Sequence, residues 1–94
     1  MEVLEVRYNP YSLHWVVEFR QNGEIWRVAW IHCRGFQDVW WKLFRDGEST
    51  YRASGVINIP HRRMTRIYPR TNEQALKFFH EIVLPHIRTK YPRF

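Results

Sequence analysis

The chain has 94 residues, 45% of them apolar and 17% aromatic, which fits one domain spanning 1–94 and excludes a disordered chain, since such chains lack aromatics. One cysteine, Cys33, rules out an internal disulfide and points to a reducing compartment; no run nears the ~18 apolar residues of a membrane span, so the expectation is a cytoplasmic, intracellular protein with no membrane partner. The net charge of +6 is unevenly placed: residues 1–50 hold six Lys/Arg against seven Asp/Glu, and residues 51–94 hold nine against two.

In chain order, Leu4, Val6 and Tyr8 alternate with Val3, Glu5 and Arg7, the period of a strand. Asn9-Pro10 turns the chain. Asn22-Gly23 then separates two β-rich runs and is the preferred pair of a two-residue hairpin turn. With that loop Phe19 faces Trp26, Val17 faces Val28 and Trp15 faces Trp30, all on one side of the sheet. On the other side Glu18 meets Arg27. That second side (Val16, Ile25, Ala29, Ile31) is also apolar, and suits a helix or a second copy of the protein.

Phe36–Arg45 fits both a helix and a strand, and the strand reading extends the meander. Tyr51–Ile59 reads as a strand interrupted at Ser54-Gly55. Met64–Tyr68 reads as a further short strand, with His61-Arg62-Arg63 in the connection before it. Thr71 with Gln74 three residues on is a capping-box pattern. Ala75, Leu76, Phe79, Ile82 and Val83 form the apolar stripe of the helix that follows, while Glu73, Lys77 and Glu81 can pair along its other side. Pro85 should kink or end the helix near Leu84, leaving a basic tail that is a short second helix or an arm. The fold class is therefore α+β. A mostly antiparallel meander of about five strands, with a tryptophan-rich hairpin over 13–32, occupies 1–70, and a C-terminal amphipathic helix with its basic tail (71–94) packs on one face.

Arginine outnumbers lysine twelve to three, and arginine binds phosphate bidentately and stacks on bases. From Arg52 to Arg70 there is no carboxylate. The expected nucleic-acid-binding residues are Lys42, Arg52, Arg62, Arg63, Arg66, Arg70 and His61, with Trp41 and Tyr51 as stacking faces, the pattern by which single strands are gripped. Alternation sends Trp40 and Trp41 to opposite faces, one into the core and one outward. Duplex DNA is disfavoured because the helix from Thr71 to Leu84 carries only Lys77 among cations. The ligand expected is single-stranded DNA or RNA, bound without catalysis, and no cofactor or metal is implied. His61 beside Arg62 and Arg63 keeps open a small histidine-dependent ribonuclease, since two imidazoles can act as general acid and base.

The layout of strands followed by a helix introduced by Tyr68-Pro69 and Asn72-Glu73-Gln74-Ala75-Leu76 resembles Whirly-type and positive-cofactor-type single-strand binders. The resemblance implies a helix laid on an antiparallel sheet and a dimeric or higher assembly; the lysine-rich hairpin of the cofactor type is absent here. The small, aromatic, arginine-rich composition also resembles phage and archaeal-virus proteins. That likeness implies an alternative role as an interaction factor that inhibits a host nucleoprotein complex, with arginine and tryptophan as interface anchors.

Overall fold

Asn22 and Gly23 adopt φ of 53° and 76°, the left-handed pair that a type I′ turn requires. The turn fixes the facing of β2 (His14–Gln21) and β3 (Glu24–Cys33): Phe19 opposite Trp26, Val17 opposite Val28 and Trp15 opposite Trp30, as the sequence predicts. In this computed structural model, which describes residues 1–33 and 37–94, the hairpin is the centre of a five-stranded antiparallel sheet. β1 (Glu2–Asn9), β4 (Asp38–Arg45) and β5 (Ala53–Asn58) complete it in the order β1-β2-β3-β4-β5. The ambiguous segment is thus a strand from Asp38 onward, and Phe36 lies outside the described residues.

Three details of the sheet differ from simple alternation. β1 is bulged between Val3 and Glu5, so Val3 faces Phe19 while Val6 faces Val17. The extra residue brings both valines against the core and leaves Leu4 exposed. β5 runs unbroken through Ser54-Gly55, because Gly55 lies opposite Trp41 and yields its side-chain space to the indole. Arg27 faces Glu18 across the hairpin but lies over the Phe44 ring at 4.8 Å; no ion pair with Glu18 forms among the described residues.

Met64–Tyr68 is not a strand. His61–Ile67 is a helix, α1. Pro60 sits just before its first residue, with its carbonyl accepting from the Arg63 and Met64 amides, and a proline lacking an N–H costs nothing at that position. Met64 is buried and Ile67 half-buried, at the i, i+3 spacing of a helix face. Tyr68 is extended, as a residue preceding proline prefers.

Thr71 caps α2 (Asn72–Phe78) by accepting the Gln74 amide. The helix does not end near Leu84. A π-helical turn (Phe79–Val83) leads directly into α3 (Leu84–Lys90). Pro85 falls in the first turn of α3, and the wider turn before it relieves the clash a proline ring makes with the carbonyl four residues back. The tail is no free arm: Phe94 sets its ring edge against Trp26 and Phe19 at 5.2 and 5.7 Å. The core lies between the sheet and this helical layer, built on Trp15, Phe19, Trp30, Trp41, Phe78, Phe79 and Ile87. No helix among the described residues is long and apolar enough to cross a membrane.

Candidate nucleic-acid interface

The cationic residues expected to form one surface divide between two faces. Trp41 is only 1% exposed and belongs to the core, so it offers no stacking face. Its neighbour Trp40 points the other way and is 55% exposed. Lys42 shares that outward parity, and its ammonium sits 4.9 Å from the centre of the exposed Tyr51 ring. Arg52 is held bidentately by Glu48, at 2.9 and 2.6 Å. The pairing lowers the Glu48 carboxyl, first through the hydrogen bond from Arg52. Arg52 is therefore neutralised where it stands.

On the helical side the arginines are differently placed. Arg62 and Arg63 lie in the first turn of α1 and Arg66 in the second, and all three are exposed, as are His61 at its start and Arg70 beyond its end. The ion pairs among the described residues join Arg7 to Glu5, Arg20 to Glu2, Arg45 to Glu24 and Arg52 to Glu48. None involves Arg62, Arg63, Arg66, Arg70 or Lys77.

Arg63 and Arg66 border a cleft of about 490 Å³ between α1 and the C-terminal helix. Lys77, Gln74 and Glu81 supply the rest of its polar lining, and Ile67, Tyr68, Phe78 and Ile82 its apolar lining. Lys77 comes from one turn after the capping box, on the side of α2 that the sequence assigned to solvent. The i, i+4 pairs expected of Glu73, Lys77 and Glu81 do not form among the described residues. Tyr68 also lines a second hollow of about 430 Å³, with Tyr8, Trp15, Arg70 and Asn72. Tyr68 thus borders both hollows, with Arg63 and Arg66 on one and Arg70 on the other.

Tyr68 itself is fixed. Its hydroxyl accepts the backbone N–H of His32 at 3.1 Å, and its ring lies 5.0 Å from the His32 ring and 5.6 Å, edge-on, from Phe78. Burial pushes its phenol up to about 12, so it stays a neutral platform at any ordinary pH. Among the described residues no group of three or more His, Cys, Asp or Glu is placed to hold a metal ion. The sequence missed the cleft because it rests on α1 being a helix; only the Met64–Ile67 spacing after Pro60 pointed there.

No family model matches the chain, and neither a curated protein nor a solved structure matches it.

Proposed function

We propose that the protein is a non-catalytic binder of single-stranded nucleic acid, gripping it along the α1 cleft and the Tyr68 ring. One observation carries this reading: Arg63, Arg66 and Lys77 converge on one cleft without ion-pair partners among the described residues, while the sheet-side arginines at 7, 20, 45 and 52 are matched by carboxylates. Cations left free beside a wide, partly apolar trough suit a flexible polyanion whose bases have exposed faces. Arg62 and Arg70 extend the same field, and His61 stands at its edge. Lys42, Arg52, Tyr51 and Trp41 have no part in it.

The test is fluorescence anisotropy with labelled single-stranded DNA, RNA and duplex DNA at two salt concentrations. Single strands are expected to bind more tightly than duplex, with affinity falling steeply as salt rises. Absence of binding at low salt overturns the reading and returns the arginines to the role of protein-interface anchors.

The open face of the sheet is assigned a second copy of the chain. Glu5 and Glu2 are already held there by Arg7 and Arg20, so the apolar row of half-buried Ile31 with exposed Trp40 and Val56, across β3, β4 and β5, is what a second copy would cover. A two-fold axis lays the two sheets face to face over that row. The clefts then face outward on both sides, doubling the basic surface.

A further inference from the structure

We propose that the α1 cleft seats one base and selects guanine, with Glu81 as the reading residue; this deepens the nucleic-acid reading and rests on it. Its volume of about 490 Å³ falls within the roughly 300–1,000 Å³ typical of small-ligand sites. The half-buried Ile67, Ile82 and Tyr68 side chains give it apolar walls that suit a flat heterocycle.

The polar groups around those walls are almost all donors. Arg63, Arg66 and Lys77 have only N–H groups to offer. The Gln74 carbonyl oxygen already accepts the Arg70 amide at 2.8 Å, which leaves its NH₂ for a ligand. Glu81 is the one carboxylate of the lining, and it forms no ion pair with the three cations around it. Two acceptor oxygens therefore stand in a cleft otherwise built to meet phosphate and carbonyl oxygens.

A carboxylate accepts two parallel hydrogen bonds from adjacent donors. Guanine offers N1–H and N2–H side by side on its Watson–Crick edge. Adenine and cytosine each place one amino group next to a ring acceptor, and uracil and thymine place one imide N–H between two carbonyls. Only guanine satisfies both oxygens of Glu81 without setting an acceptor against one of them. Its O6 and N7 remain for the arginine side of the cleft, a pairing arginine makes readily.

The experiment uses the full chain and thymine oligonucleotides that differ at one central position. The guanine oligonucleotide is expected to bind at least about fivefold more tightly than those with adenine or cytosine, the lower end of a bidentate base contact. Glu81→Gln raises affinity for the adenine and cytosine oligonucleotides by removing a negative charge, but takes the paired contact from guanine, and so brings the guanine ratio close to one. Glu73→Gln, on the same helix but outside the cleft, raises affinity with the ratio intact. Equal, salt-sensitive binding of all three oligonucleotides overturns the base selection and leaves the nucleic-acid reading standing. A preference that survives Glu81→Gln, or falls equally in Glu73→Gln, overturns the role of Glu81. No binding to any oligonucleotide at low salt overturns both readings.

Discussion

Trp41 and Gly55 face each other across β4 and β5, and the indole fills the space a side chain at 55 would need. A Cβ there would lie 2.7 Å from Cζ2 and 2.8 Å from Cε2 and Nε1 of the tryptophan. Gly55→Ala has to displace a ring that is 1% exposed. The expected cost is about 1–3 kcal/mol, the usual range for overpacking a core. Urea unfolding reads it directly, and an unchanged midpoint would show that the ring moves freely.

The adjacent tryptophans should behave oppositely. Trp41→Ala empties the core and is expected to lose about 3–5 kcal/mol. Trp40→Glu changes a ring that is 55% exposed and should leave the unfolding midpoint of the dilute, monomeric chain nearly unchanged, while it abolishes the proposed association of two chains. Sedimentation of the native protein and of Trp40→Glu over a range of concentrations checks both statements. A native protein that stays monomeric at high concentration removes the dimer.

Arginine substitutions should divide by face. Arg63→Ala with Arg66→Ala removes two phosphate contacts, so the slope of log affinity against log salt should shrink by about 1.4, at roughly 0.7 per contact on a single strand. Arg52→Ala should change affinity by less than about twofold, because Glu48 already holds that guanidinium. If Arg52→Ala proves as damaging as the helical pair, the ligand runs over the sheet instead.

His86 sets a pH limit on stability. Its ring stands edge-on to Trp41 at 6.0 Å, its Nε2 is buried, and burial first, then Lys90, lowers its pKa in the folded state. The unfolded chain therefore takes up the proton more readily. This contribution is complete above the ordinary imidazole value of about 6.5 and is lost as pH falls toward the folded pKa. Urea midpoints at pH 7.5 and 5.5 should drop more in the native protein than in His86→Leu. Equal drops would assign the effect to other groups.

The hairpin was readable because two residues, Asn22 and Gly23, fix every facing pair after them, and an aromatic face confirmed the register. The parity of Trp40 and Trp41 was readable too, but not which of them turned inward. That depends on Gly55, fourteen residues later, leaving room on one side only. α1 was hidden because Met64, Ile67 and Tyr68 suit a short strand as well as a helix, and seven residues give periodicity little to work on. The bidentate hold of Glu48 on Arg52 was masked by a segment boundary: a carboxylate-free stretch counted from 52 begins just past its partner.

The π-helical turn at Phe79–Val83 holds one residue more than a plain helix would spend on that arc. Before it the sequence buries Ala75 and Phe78; within it, Phe79 and Val83; after it, Leu84 and Ile87. Without the surplus residue, everything from Leu84 onward would swing by about 100° around the axis. Pro85 and Arg88 would then rotate toward the sheet, and Phe94 would lose its seat on Trp26. In this stretch the count of amino acids matters more than their kind, so a one-residue deletion should do harm that few point substitutions there could equal.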